Sequence, residues 1–348
     1  MEGQRMFTSW VIIRALAALA FLGVVATAIP ANAQTQTPPA STHQSTVIDP
    51  DARAVNEHTL LREFPRIQGT ILIPAQREAV LIQPDGRIWD YFHEVLLRWI
   101  GVVAIFGMLA VLAAGYFLLG RMRIAAGRSG IPVLRFTSFE RFCHWLTATS
   151  FVVLALTGLN ITFGKVALRP LIGPDAFSLV AQYAKYIHNY TSFAFVIGLV
   201  LIVAMWIKDN IPRKIDITWL REGGGFIRSK HPTAGRFNAG EKLVFWFALG
   251  AGAAVAVSGY LLIFPFYLTN IFGMQIAQVV HSIIALLFIA VILAHIYIGT
   301  LGMEGAFEAM GSGSVDLNWA KEHHGAWLKE EVAKGRVAAE QLSVAPAE

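Results

Sequence analysis

Four histidines have the type and spacing to do chemistry. His144, His188, His281 and His295 lie within or at the ends of long apolar runs, where an ionisable side chain is costly and marks a functional site by default. His281 and His295 are 14 residues apart. On one helix they would share a face to within about 40° and stand about 21 Å apart along the axis. Two neutral imidazoles from two helices are what a low-spin haem iron takes at its axial positions, and filling both suits electron transfer. Zinc is the rival occupant, but it wants four ligands at one depth, and these residues divide two and two. The plain alternative is that each is an interfacial or helix-bonded histidine without a metal.

The elements that must position them are membrane helices. The chain has 348 residues, 55% hydrophobic and only 15% charged, against about a quarter charged in soluble domains. Ile100–Gly120, His144–Gly164 and His188–Ile207 contain no Asp, Glu, Lys or Arg, and neither does the long run Leu243–Met303. About 20 apolar residues cross a bilayer, so the last run holds two helices, near 243–264 and 279–302, with a break at Pro265, Asn270 and Gly273. Basic residues crowd the loops after the first and third spans, from Arg121 to Arg141 and from Lys208 to Lys242. Those loops are therefore expected in the cytoplasm. His144 then begins its helix on the cytoplasmic side and His188 begins its helix on the periplasmic side. Two couples at matching depth become possible: His144 with His295, and His188 with His281.

The N-terminus reads as a cleavable signal peptide, 1–33: Arg5 and Arg14, an apolar run from Ala15 to Ile29, then Pro30-Ala31-Asn32-Ala33. An uncleaved anchor is the alternative. A periplasmic extension over 34–95 follows, polar and rich in Pro, Ser and Thr at first. TILIP and AVLIQ suggest short strands, and Pro84-Asp85-Gly86 a turn. The expected fold is an all-α membrane protein. A four-helix transmembrane bundle over 136–303 is joined by an extra N-terminal transmembrane helix over 96–121 and a cytoplasmic tail over 304–348. No convincing internal repeat is read, which weighs against a transporter. The net charge of +5 reflects cytoplasmic loops, not nucleic-acid binding. A single cysteine, Cys143, excludes an intramolecular disulfide, a four-thiolate iron–sulfur cluster and c-type haem attachment.

From about Phe136 to Glu330 the chain resembles the cytochrome b (gamma) subunit of respiratory formate dehydrogenase. The matching pieces are Arg141-Phe-Cys-His-Trp145, Asp209-Asn-Ile-Pro212, Asp216-Ile-Thr-Trp-Leu220, Arg236-Phe-Asn-Ala-Gly-Glu-Lys-Leu-Val-Phe-Trp246 and Trp319-Ala-Lys-Glu-His-His-Gly-Ala-Trp327. The last two are the most specific. The resemblance implies two b-type haems, one held by His188 and His281 near the periplasm and one by His144 and His295 near the cytoplasm. It implies quinone as substrate beside the cytoplasmic haem, lined by Asn238 and Gly240. From the residues alone, Asn238 and Gly240 read rather as a helix cap. Gly158, 14 residues after His144, either lets a helix approach a porphyrin or serves ordinary small-residue packing. His323 and His324, flanked by Trp319 and Trp327, are expected on a tail helix at the cytoplasmic interface, for packing or, less readily, a metal.

The resemblance further implies an iron–sulfur beta subunit and a molybdenum or tungsten catalytic alpha subunit as partners. The chain itself would hold no formate-oxidising site, and would sit in the bacterial inner membrane with its mature N-terminus periplasmic. A long N-terminal stretch precedes the resembling core, and the resemblance assigns it no role. Two rivals remain: a cytochrome b of a nickel–iron hydrogenase or related periplasmic oxidoreductase, and a haem-free membrane anchor.

Overall fold

A helix starts where a side chain can satisfy the amide hydrogens its first turn leaves unpaired. Thr137 does so for the helix α2 that follows it, accepting from the amide of Glu140, whose carboxylate accepts in turn from the amide of Thr137 at 2.9 Å. Asn238 and Glu241 repeat this reciprocal cap for α4. Asn270 accepts from the amide of Gly273 at 3.0 Å and starts α5. The computed structural model describes residues 89, 91–225 and 232–338. Its long helices are α1 (Leu97–Leu119), α2 (Ser138–Ala167), α3 (Pro174–Trp206), α4 (Ala239–Ile263) and α5 (Ile271–Tyr297). All five are long and apolar enough to cross a membrane.

The chain divides at Phe92/His93, and the architecture described is that of His93 onward. The expected signal peptide, the strands TILIP and AVLIQ, their turn, and His43, His58, Arg228, Lys230 and His231 lie outside the described residues. The extra span falls where the sequence places it. Three helix starts do not: α3 begins at Pro174, well ahead of His188, α5 begins at Ile271, ahead of 279, and α2 begins at Ser138, ahead of His144. Helical hydrogen bonding continues past the apolar window because neither Pro nor Gly interrupts 175–187. Pro174 after Gly173, whose φ is 83°, makes the actual start.

α2 packs along α3, α4 along α5, α3 against α4, and α1 against α5. The α2–α3 approach depends on Gly198, where an added Cβ would collide with Thr147. Inside lie Phe195, Leu199, Ala251 and Phe288, flanked by Phe151 and Phe247. Outward-facing apolar side chains such as Phe117, 83% exposed, suit contact with lipid.

One end of the bundle carries a folded cap. Strand β1 (Pro132–Leu134) pairs antiparallel with β2 (Ser314–Asp316), and Met122 bridges to Met303. The short helices Leu317–His323 and Gly325–Ala333 complete it. The tail is more buried than an interfacial helix would be: Leu317, Trp319, Ala320, His324 and Trp327 are all buried. All of these but His324 share a core with Phe136, Trp206 and Phe237, which offers the tryptophans more apolar burial than the membrane interface would.

The caps also expose a repeat that the sequence reading missed. Arg135-Phe136-Thr137…Glu140 recurs 101 positions later as Arg236-Phe237-Asn238…Glu241, and Thr157-Gly158 recurs at the same offset as Ser258-Gly259. His188…Phe195 on α3 matches His281…Phe288 on α5. Each copy's arginine reaches the other copy's capping glutamate: Arg135 meets Glu241 at 2.9 Å and Arg236 meets Glu140 at 2.6 Å. Reciprocal contacts of this kind are the mark of a two-fold relation. Few identities and unequal loop lengths hid it.

Candidate metal centres

α5 carries two of the four histidines on one face, and each finds its partner on a different helix. His281 faces His188 of α3 with ring centres 6.1 Å apart. His295 faces His144 of α2 with ring centres 6.3 Å apart. A bond from a first-row metal to an imidazole nitrogen is about 2.0–2.1 Å and the ring centre lies about 1 Å further on, so one ion between two opposed imidazoles sets their centres ~6 Å apart. Both couples have that spacing. Among the described residues no group of three or more His, Cys, Asp or Glu could hold a metal ion, so a four-ligand zinc site has no donors here.

An aromatic layer separates the couples. Phe288 stands midway in sequence between His281 and His295. Around it are Phe151 at 4.7 Å, Phe247 at 5.8 Å and Phe195 at 6.3 Å. Phe151 and Phe195 likewise follow His144 and His188 at the same spacing, about two helical turns on along the same face. That spacing was in the sequence and was not read.

The His188–His281 couple is symmetric within the repeat. The Nδ1 of His188 lies 2.9 Å from the hydroxyl of Thr157. The Nδ1 of His281 lies 3.2 Å from the hydroxyl of Ser258 and 3.0 Å from the Val255 carbonyl. Gly158 and Gly259 make room for the rings: a Cβ on Gly158 would stand 3.2 Å from Cε1 of His188, and one on Gly259 3.0 Å from Cε1 of His281. Gly158 thus lies at the depth its spacing implied, and its neighbour there is an imidazole. The His144–His295 couple breaks the repeat, since Phe245 occupies the position equivalent to His144. The Nδ1 of His144 is buried without a hydrogen-bond partner.

The capped end beside His144 and His295 is charged and tightly bonded. Arg236 binds Asp209 at 2.8 Å as well as Glu140, and Trp206 donates to the same Glu140 oxygen at 2.9 Å. Burial pulls the Arg236 pKa down, but Glu140 and Asp209 outweigh it and hold it above its ordinary value. Lys242 pairs with Asp216 at 2.7 Å. His324 donates from Nδ1 to the Gly235 carbonyl at 2.7 Å and lies tilted against Trp319 with ring centres 5.0 Å apart. Its pKa is pushed down to about 4, first by burial and then by the Arg135 charge. His324 therefore packs as a neutral ring. Asn238 is the N-cap of α4, using its Oδ1, and Gly240 lies under Trp219. The cap reading from the residues is what the structure displays, and the amide Nδ2 of Asn238 stays outside the capping box.

A family model described as prokaryotic cytochrome b561 matches residues 135–313, just over half of the chain and all four histidines. The nitrate-inducible formate dehydrogenase cytochrome b556(Fdn) subunit of Escherichia coli K12 is 28% identical over 205 residues, covering 57% of this chain and 91% of that protein. The formate dehydrogenase cytochrome b556(fdo) subunit of the same strain is 29% identical, covering 57% and 92%. The formate dehydrogenase cytochrome b556 subunit of Haemophilus influenzae is 28% identical, covering 58% and 84%.

Proposed function

The chain belongs to the prokaryotic cytochrome b561 family, and from that premise we propose that it is the membrane di-haem cytochrome b subunit of a formate dehydrogenase, reducing quinone. It is an integral membrane protein with five apolar spans among the described residues, and its family implies haem b. The observation that carries the reading is the two imidazole couples, each at the ~6 Å spacing that one iron between two ring nitrogens requires.

His188 and His281 would hold one haem, and His144 and His295 the other. Bound at these two depths, haem b supplies one-electron carriers across the bilayer. With two imidazoles offered to each iron, the residues present would suit electron transfer and not oxygen chemistry. Phe151, Phe195, Phe247 and Phe288 fill the space between the couples with apolar rings. Thr157 and Ser258 hold the rings of one couple in place. At the capped end, Asn238 would offer Nδ2 to a quinone carbonyl, while Gly240 allows a close backbone approach.

The assembly follows from the relatives named above, which are formate dehydrogenase subunits. An iron–sulfur subunit would deliver electrons on the His188/His281 side, from formate oxidised at a molybdenum or tungsten centre in a catalytic subunit. The basic loops favour a cytoplasmic side for the capped end, and quinone would then draw its protons there. The chain would sit in a bacterial inner membrane, with residues 1–33 a removed signal and 34–95 periplasmic.

Haem quantification in the purified complex tests the reading. The expected result is two b-type haems in the wild type, with one distinct haem lost in His188→Ala and the other in His295→Ala. Unchanged content in both variants would show the ligands to be misassigned, and no b-type band in the wild type would favour a haem-free anchor. Reduction by hydrogen and not by formate would assign the chain to a hydrogenase.

A further inference from the structure

The two histidine couples are built alike in spacing and differently in support. In the His188–His281 couple each Nδ1 meets a hydroxyl, and the hydroxyls are themselves committed. Thr157 donates to the Val153 carbonyl at 2.7 Å, and Ser258 donates to the Ala254 carbonyl at 2.6 Å, each one turn back on its own helix. A hydroxyl has one hydrogen. With that hydrogen spent on the helix, the oxygen faces the imidazole as an acceptor, so Nδ1 carries the proton. The Val255 carbonyl at 3.0 Å from His281 imposes the same tautomer independently, because a carbonyl can only accept. The nitrogen with the free lone pair is then Nε2 in both rings, which is the one a metal can take. In the His144–His295 couple the buried Nδ1 of His144 has no such partner.

We propose that Thr157 and Ser258 are positioning residues that fix Nε2 of His188 and His281 toward a bound iron and lower its reduction potential relative to the site at His144 and His295. The inference rests on the haem reading above. An acceptor on Nδ1–H makes an imidazole more basic toward its metal. A more basic ligand favours the oxidised, more positive iron. The couple supported by two acceptors is therefore the weaker electron acceptor of the two. Electrons entering on that side would run downhill toward His144 and His295, so that the direction of transfer is written partly into two hydroxyl side chains. The placement is not accidental packing at one site: Thr157-Gly158 and Ser258-Gly259 are equivalent in the repeat, and each glycine clears the ring that the preceding hydroxyl holds.

The test is a potentiometric titration of the b-type absorbance in the membrane-bound complex. It compares the wild type with Thr157→Val, Ser258→Ala, the double variant, and Thr157→Ser as the conservative rescue. Low-spin electron paramagnetic resonance signals are recorded in parallel, and the component missing in His188→Ala identifies the site. The wild type should show two components, the His188/His281 one lower. Thr157→Val should shift that component upward by about tenfold in its equilibrium, about 59 mV for one electron, with the other unmoved. Ser258→Ala should shift it less, because Val255 still accepts. Thr157→Ser should return it to the wild-type value. If Thr157→Val loses the haem, the smaller upward shift in Ser258→Ala decides. Overturning results are two retained components with neither moved, a shift confined to the His144/His295 component, or a wild-type order opposite to that stated. Absence of b-type haem in the wild type would instead defeat the underlying reading.

Discussion

Adding one methyl group at Gly259 should remove one haem and leave the rest of the bundle intact. The Cβ of Gly259→Ala would lie 3.0 Å from Cε1 and 3.3 Å from Nδ1 of His281, whereas carbon atoms in comfortable contact stand about 3.5–4.0 Å apart. The ring must therefore retreat from α4 by ~0.5–1 Å. Its anchors, the Ser258 hydroxyl and the Val255 carbonyl, are on α4 and stay behind. The displacement of Nε2 is several times the ~0.2 Å that a metal–ligand distance tolerates. Affinity at this couple should fall by about 10–100-fold, the usual effect of disturbing a ligand's support. The competing effect has the opposite sign: alanine favours a helix interior over glycine by about 1 kcal/mol, so α4 itself is not weakened. The assay is haem content and the b-type spectrum of the purified complex, with thermal unfolding as control. One haem in place of two, at undiminished thermal stability, is expected. Full retention of both haems with an unchanged spectrum would refute the reasoning. Gly158→Ala, whose Cβ would stand 3.2 Å from His188, should show a milder loss at the same couple.

Other outcomes follow from the capped end. Arg236→Ala leaves Glu140, whose side chain is 8% exposed, without its cation, and should destabilise by about 2–3 kcal/mol; denaturant unfolding with a change below about 1 kcal/mol would contradict this. His324 is neutral in the fold down to about pH 4, so between pH 6.5 and 4 only the unfolded chain takes up its proton and stability falls as the pH falls. The loss should reach up to about 3 kcal/mol, and His324→Gln should flatten that slope in thermal unfolding between pH 7 and 4. Asn238→Ser keeps a capping oxygen but removes the amide donor. Helix stability should change by under about 1 kcal/mol while quinone reduction slows and haem reduction by formate persists; equal quinone turnover would restrict Asn238 to capping.

Much of this protein was legible because lipid imposes a simple code. A helix that must satisfy its own backbone in hydrocarbon needs a long apolar run, so Leu243–Met303 announced two helices and a break, and the α5 N-cap at Asn270 lies at that break. The four histidines stood out for the same reason: an imidazole in an apolar run is an exception that needs a cause. Helix ends were less legible. α3 starts at Pro174, well ahead of His188, because outside the lipid polarity no longer opposes a helix and only Gly173 and Pro174 stop it.

The sequence by itself determined the membrane class, the number of spans over the described residues and the identity of the four imidazoles. Only the tertiary structure decided which faces meet. Even spacing puts Phe288 between His281 and His295 on one face, but Phe151, Phe195 and Phe247 reach it from three other helices. The support of the rings by Thr157 and Ser258, and the exchange of Arg135 and Arg236 between two copies of one helix pair, are likewise contacts between segments distant in the chain. Hydropathy depends on each residue's own transfer from water to lipid and can be read one position at a time. Hydrogen bonds and close contacts depend on pairs of groups that folding alone brings together.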